Sequence, residues 1–460
     1  MSDRQRLACV WLSWMALAAL IYYPVLGLHT YSDDSVQIEI ALGLQPFNES
    51  TYFFRPLQSA LIKWDWQRSG SDFIASKAAA FLLLLLRTAL VYGLARRAMP
   101  KASAIGPAIV SWLYLAHPIL VAATGKIDNN TEGICAAIAL GLVYVALSPA
   151  MTDARRLALS ALMLVVGFAT KESIVGIAAA VPMFMWFSGS PNRVRLARWA
   201  AVMTGVLLAG YFAARWMAGR TALNVVPQSR YELHLGLNVL RNAIASTAAM
   251  LFPGSLLDVF VRLRPIHLAW SAIHVLVVLI ARARRGLALS TPAQRLFLIA
   301  MIAGLFPVVL LNGWPSEHHL TTSAAFVLLL VACPLLDAPR LSRRITGVAA
   351  VLVVWMGVNS WTKTTAERRM SDRAQEIGTA MMSAYERAPT PRVRLCAVFD
   401  PKRKYGQFEL PDHYMALHQL YRFRVSYPEV TLERMLEIKS AADAGESCTL
   451  VADGLSVESR

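Results

Sequence analysis

Tyr31-Ser32-Asp33-Asp34-Ser35-Val36-Gln37-Ile38-Glu39-Ile40 begins just beyond the first long apolar run of the chain, residues 7–27. Ser and Asp in front of a helical pattern ordinarily cap it. Two adjacent carboxylates also raise each other's proton affinity and can share a cation. The amphipathic Val36 to Leu42 that follows is suited to lie on a membrane surface. A greasy helix that delivers an acidic pair to that surface can hold a base, or a ligand for a divalent metal such as Mg²⁺ or Mn²⁺, beside a substrate carried in lipid. This reading requires the rest of the chain to be membrane.

The composition meets that requirement. The 460 residues are 56% hydrophobic and only 16% charged, where a soluble domain carries roughly 25% charged residues. Mean hydropathy is +0.46. A helix needs about 20 mainly apolar residues to cross the hydrocarbon core. Crossings are expected near 7–27, 74–95, 103–123, 132–148, 157–171, 173–187, 199–217, 265–281, 295–312, 319–337 and 345–361. The expected fold class is therefore an all-α polytopic membrane protein with about eleven transmembrane helices. The first run lacks a small-residue cleavage site and reads as a retained span rather than a cleaved signal.

The net charge of +16 suggests nucleic acid only until its distribution is considered. Arg4/Arg6, Arg96/Arg97/Lys101, Arg155/Arg156, Arg193/Arg195/Arg198, Arg282/Arg284/Arg285 and Arg340/Arg343/Arg344 fall in short clusters between apolar runs. By the positive-inside rule these are cytoplasmic loops, and no nucleic-acid partner is expected. The stretch 239–258 would break this alternation if it crossed, so it reads as a re-entrant or interfacial helix. The N-terminus is then cytoplasmic and the C-terminus extracytoplasmic, which fits a bacterial inner membrane.

Beyond residue 361 the chain changes character. Residues 362–460 are charged, with strand-like runs at 393–399 and 448–452 and helical patterns around 366–387 and 411–439. A small extracytoplasmic α/β domain is expected there, against a membrane domain over 1–361. In an oxidising compartment Cys396 and Cys448 are candidates for a disulfide; the alternative is two buried thiols in neighbouring strands.

The outer loops collect the remaining polar motifs. Phe54-Arg55-Pro56-Leu57 offers a guanidinium fork suited to phosphate, or an Arg snorkelling to headgroups. His117-Pro118 closes the third span and leads into Gly125-Lys126-Ile127-Asp128. Thr170-Lys171-Glu172-Ser173 interrupts an apolar stretch, and charges at that depth are usually functional or paired. Ser316-Glu317-His318-His319 opens the tenth span. It lacks the spacing of a helical zinc motif, so zinc is not expected there. Arg262 and Arg264 are candidate contacts to a phosphate or to headgroups.

Taken in order, these motifs resemble the GT-C superfamily of integral-membrane glycosyltransferases, and within it the protein O-mannosyltransferase-like branch. The matching elements are Tyr31-Ser32-Asp33-Asp34, Phe54-Arg55-Pro56-Leu57, His117-Pro118 with Gly125-Lys126-Ile127-Asp128, Thr170-Lys171-Glu172 and Ser316-Glu317-His318-His319-Leu320. Lys126 and His318 replace basic residues of other types in that branch, and the tetratricopeptide repeats of some members have no counterpart after residue 361. The resemblance implies transfer of a sugar from a polyprenyl-phosphate carrier to an acceptor at the outer face, the acceptor being a protein, a glycan or a lipid. Asp33 or Asp34 would be the general base. Arg55, Lys126, Lys171 and His318 would offset the phosphate charge, and His117, Asp128, Glu172 and Glu317 would join them in binding substrate. The alternatives are a lipid-linked saccharide flippase or transporter, and a glycan polymerase or ligase. The absence of an internal repeat counts against a transporter.

Overall fold

The computed structural model describes residues 3–30, 34–44, 54–127, 129–218, 232–252, 254, 276, 291–313, 315–400, 412–445 and 448–459. Among these, the helices are α1 Asp3–Tyr22, α2 Asp34–Leu42, α3 Pro56–Ser69, α4 Ile74–Ala98, α5 Ile105–Leu115, α6 Ile119–Gly125, α7 Asn130–Ala146 and α8 Asp153–Thr170. They continue as α9 Ile174–Trp186, α10 Arg193–Met217, α11 Leu237–Leu251, α12 Pro292–Val309, α13 Thr321–Leu336, α14 Arg343–Arg387 and α15 Asp412–Ser426.

Among the described residues six helical segments are each long and apolar enough to cross a bilayer, and α5 with α6 forms a pair bent by 64° that is either one broken span or a re-entrant loop. Helices α7 and α9 are apolar but shorter. The eleven crossings expected from sequence are therefore matched in part, and the one at 265–281 lies, apart from residue 276, outside the described residues. The bend between α5 and α6 falls at His117-Pro118, because proline supplies no N–H and disfavours helix in the residue before it.

Sequence sets where the other helices start. Thr152, Thr291 and Ser342 accept hydrogen bonds from Arg155 N, Gln294 N and Ile345 N at the heads of α8, α12 and α14. Pro292 and Pro56 occupy first-turn positions, where a missing N–H costs nothing. The head of α4 is capped from outside: the Asp65 carboxylate on α3 accepts from Ser76 N at 2.6 Å and Ala75 N at 3.3 Å. A carboxylate at a helix N-terminus satisfies orphan amides and the helix dipole together.

Helix α7 is the centre of the bundle. It is apolar and buried around nearly its whole circumference, packed by α4, α8, α9 and α13, as an all-round hydrophobic helix must be. At the α9–α12 crossing a Cβ on Gly176 would collide with the Ala303 carbonyl, so only glycine lets these helices approach so closely. By contrast Val348, Val351, Val354, Trp355, Val358 and Trp361 on α14 are exposed. In a membrane protein that is a lipid-facing flank.

The domain boundary expected at 361 falls inside α14, which runs on to Arg387 without a break. Beyond Trp361 the helix buries Lys363, Glu367, Met370, Ala374, Ile377, Met381 and Ala384 against protein, a three-to-four-residue stripe. Strands β1 Arg392–Val393 and β3 Thr431–Leu432 pair in parallel. Strands β2 Leu395–Val398, β4 Leu436–Ile438, β5 Leu450–Asp453 and β6 Ser456–Ser459 form a second sheet in the order β4-β2-β5-β6. Both neighbours of β2 run parallel to it, and β6 returns antiparallel through Gly454-Leu455. The positive φ of Gly454 suits such a two-residue hairpin loop.

Cys396 and Cys448 form a disulfide with Cα atoms 5.7 Å apart. It closes a segment whose ends are 52 residues apart, for which loop-closure entropy gives about 4 kcal/mol of stabilisation. The paired change Cys396→Ala/Cys448→Ala is expected to lower the thermal midpoint of the purified protein by several degrees. Differential scanning fluorimetry in detergent checks this, and an unchanged midpoint would count against the bond.

Candidate functional site

The turns that carry the polar motifs meet at one end of the bundle, and their charges pair across elements far apart in sequence. Arg55, at the head of α3, reaches the α8–α9 turn and grips Glu172 with two bonds, Nε to Oε2 at 3.2 Å and a terminal nitrogen to Oε1 at 2.8 Å. Bidentate pairing of this kind fixes geometry as well as charge. Burial pushes the Glu172 carboxyl up, but the Arg55 guanidinium more than offsets this and holds it down to about 2. The stability gained from that ionisation is full above the unfolded carboxylate pKa, about 4.3. It is lost as pH falls from there toward 2.

Next to Glu172, the Lys171 ammonium lies 2.9 Å from Glu132 Oε1 on the first turn of α7. Glu132 in turn faces the imidazoles of His318 and His319, the ligand atoms of all three lying within 4.8 Å of one another. The preceding residue, Glu317, makes a buried ion pair with Lys363 on α14, Oε2 to Nζ at 2.7 Å. One turn further along α14, a Cβ on Gly125 would come within 2.8 Å of Glu367 Oε2. Arg55, Glu172, Lys171, Glu132, His318, Glu317 and Lys363 thus form a continuous polar row across five elements.

Tyr211 of α10 stacks on Phe168 with ring centroids 5.1 Å apart and meets Phe54 at 6.2 Å. Arg215, one turn later on α10 and buried, donates to the Tyr211 hydroxyl at 3.2 Å. A second guanidinium and an aromatic wall therefore stand beside the Arg55–Glu172 pair.

Asp34 is the first residue of α2 and is buried. It lines a small cavity with His29, Thr30, Asp72, Lys77 and Gly125. The C-terminal elements hold the loop that presents it. The Tyr421 hydroxyl bonds Thr30 Oγ1, Gln419 Nε2 donates to Thr30 O at 3.3 Å, and the Ser371 hydroxyl accepts from His29 N at 2.7 Å. Arg424 reaches Glu39 on α2 at 3.6 Å. Burial pushes the Tyr421 phenol up to about 12, so it remains a neutral hydrogen-bonding group across the working pH range.

The structure gives His117 a different setting from an open substrate contact. Its Nε2 lies 3.2 Å from Met250 O and its Nδ1 accepts from Ile119 N at 3.2 Å. Both ring nitrogens are held by backbone, and the imidazole pins the end of α11 to the α5–α6 bend. Helix α11, the segment expected to be re-entrant or interfacial, is tied down along its length by Asn238 and Asn242, both of which donate to Leu311 O. Lys126 stands half-buried between α6 and α7, its carbonyl accepting from Asn130 N at 3.1 Å. Asp33, Asp128, Arg262 and Arg264 lie outside the described residues. Glu132, Arg215, Lys363 and Glu367 were not singled out from sequence. Glu132 directly follows the Asn129-Asn130-Thr131 turn, and Lys363 and Glu367 carry a four-residue spacing just past the last apolar run.

No protein-family model matches the chain, and no curated protein does. Solved structures do match. ArnT from Cupriavidus metallidurans, bound to undecaprenyl phosphate, aligns with a TM-score of 0.55 at 15% identity over 92% of this chain and 89% of its own. The same protein in the apo state gives 0.55 and 15% over 94% and 90%. This chain has an ArnT-like fold. The likeness extends over most of both chains. A mycobacterial arabinofuranosyltransferase, AftD, aligns with 89% of this chain and 32% of its own at a TM-score of 0.46 and 15% identity.

Proposed function

We propose that this GT-C-fold protein is a bacterial inner-membrane glycosyltransferase that moves a sugar from a polyprenyl-phosphate carrier to an acceptor hydroxyl at the outer face. The observation that carries the reading is the buried polar row anchored by Arg55, set in a fold whose solved relative binds undecaprenyl phosphate. A prenyl chain is accommodated by the apolar helix flanks, while its phosphate requires cations held where lipid meets water. Arg55, Lys171 and Lys126 are the groups assigned to that task. Their carboxylate partners keep the cations oriented and partly neutralised before substrate arrives.

In the proposed reaction the acceptor oxygen attacks the anomeric carbon, the bond from that carbon to the phosphate oxygen breaks, and the phosphate leaves with its electron pair on the polyprenyl carrier. An alcohol is a weak nucleophile until a base takes its proton in the transition state. Asp34, with Asp33, is assigned that role. A single displacement of this kind inverts the anomeric configuration, as a carboxylate base does in inverting hydrolases. The fork of Arg55 stabilises charge building on the leaving phosphate.

The decisive experiment supplies labelled polyprenyl-phosphate sugar to the protein in nanodiscs and looks for covalent transfer, separately from movement of the lipid across vesicles. Movement without transfer would establish the transporter reading instead. Arg55→Lys removes the planar fork but keeps one charge, and the two side chains are not equivalent at a bidentate site. This variant is expected to raise the KM for donor by about tenfold, the equivalent of roughly 1.4 kcal/mol, with little change in the KM for acceptor. Initial rates at varied donor concentration check it; an unchanged donor KM would remove Arg55 from the phosphate site.

A further inference from the structure

We propose that Glu132, His318 and His319 form a binding site for one divalent transition-metal ion of the zinc type. The three side chains come from two elements that sequence leaves 186 residues apart, α7 and the turn before α13. Each supplies one donor atom, and all three donors fall within 4.8 Å of one another, so small side-chain rotations suffice to bring them within the roughly 4 Å that at most separates two ligands bonded to one ion at about 2 Å. The site does not depend on the transferase reading.

The donor set argues for the class of ion. Two imidazole nitrogens and one carboxylate oxygen suit zinc, cobalt or iron, whereas magnesium and calcium prefer oxygen ligands alone. Three protein ligands are also the number found where a fourth position is left for water or another exchangeable oxygen. The surroundings fit a held ion rather than a chance meeting of side chains. Glu132 is buried on the first turn of α7, and the two histidines are half-buried with ring centroids 4.0 Å apart. Their backbone is fixed by the short 3-10 turn Glu317–Leu320, in which Thr321 Oγ1 donates to the His318 carbonyl at 2.8 Å.

Lys171 gives the site a distinctive signature. Its ammonium is 2.9 Å from Glu132 Oε1, so a metal ion and Lys171 share one carboxylate and their positive charges repel. Removing the lysine charge is then expected to tighten metal binding, which is opposite to the effect of a mutation that merely loosens the fold.

The test uses the full-length chain, purified in detergent without a polyhistidine tag and freed of metal by chelator. Zinc is then titrated in, and retained metal is counted by mass spectrometry after gel filtration of the monodisperse protein. One zinc per chain is expected. Glu132→Gln and the pair His318→Ala/His319→Ala are each expected to weaken binding at least a hundredfold, and Lys171→Met to strengthen it at least threefold. Cobalt added to the unmutated protein should give the visible absorption of a low-symmetry nitrogen–oxygen site, a readout that needs no variant to fold. Substoichiometric zinc on the unmutated protein, no cobalt spectrum, or undiminished binding in the folded variants would overturn the site. Lys171→Met with unchanged or weaker affinity would overturn the assignment of Glu132 as a ligand.

Discussion

Asp34→Asn is expected to reduce sugar transfer by about 10²–10⁴-fold, the range over which a positioned general base accelerates a reaction. The carboxamide keeps the size and the acceptor oxygen of the side chain but no longer takes a proton. Because Asp34 is buried at the start of α2 and its loop is clamped by Tyr421, Gln419 and Ser371, an isosteric change leaves the packing in place. Donor binding should stay within a few-fold of the unmutated protein. Transfer of labelled sugar in nanodiscs measures the first quantity and equilibrium binding of the polyprenyl-phosphate sugar the second. Asp33→Asn measured alongside assigns the proton: whichever substitution carries the larger loss identifies the base. Near-normal turnover in the Asp33→Asn/Asp34→Asn double variant would end the proposed mechanism.

Lys363→Met is expected to destabilise the protein by about 3–5 kcal/mol, the cost of leaving one member of a buried ion pair without the other. Lys363 and Glu317 are both at most 2% exposed as side chains and meet at 2.7 Å. Methionine occupies a similar volume, so the loss reports the stranded Glu317 charge more than a cavity. Removing both charges together, as Lys363→Met/Glu317→Gln, should recover most of that stability, because an apolar replacement of a whole buried pair is often neutral. Thermal unfolding of the four proteins forms a double-mutant cycle. If Lys363→Met unfolds like the unmutated protein, α14 is not tied to the α13 head through this pair.

Several features were legible in the sequence for definite reasons. The apolar runs specify helices because every backbone polar group in lipid must be satisfied within its own segment. The strand patterns at 393–399 and 448–452 were readable because alternation is a local cue, while the sequence left Cys396 and Cys448 open between a disulfide and two buried thiols, and the fold decides for the bond. The extent of α14 was not. The charged stretch after Trp361 reads as a new domain, yet nothing in Thr362 to Arg387 breaks a helix, and the buried stripe beginning at Lys363 carries it onward.

The polar motifs divide in the same way. Arg55, Lys171, Glu172 and Glu317 stand out in sequence because charge beside apolar runs is rare. Their partners do not. Glu132 resembles an ordinary first-turn acid on α7, and Lys363 one of many basic residues past the last span. The chain by itself determined that it is a polytopic helical membrane protein with its reactive residues in particular turns, since hydropathy and charge act over about 20 residues at a time. Tertiary structure alone decided which of those turns meet: Arg55 with Glu172, Lys171 with Glu132, Glu317 with Lys363, and His318 and His319 with Glu132. Those pairings depend on which helix faces pack together and on close approaches such as Gly176 against Ala303. No pattern of hydropathy along the chain encodes a contact between residues more than a hundred positions apart.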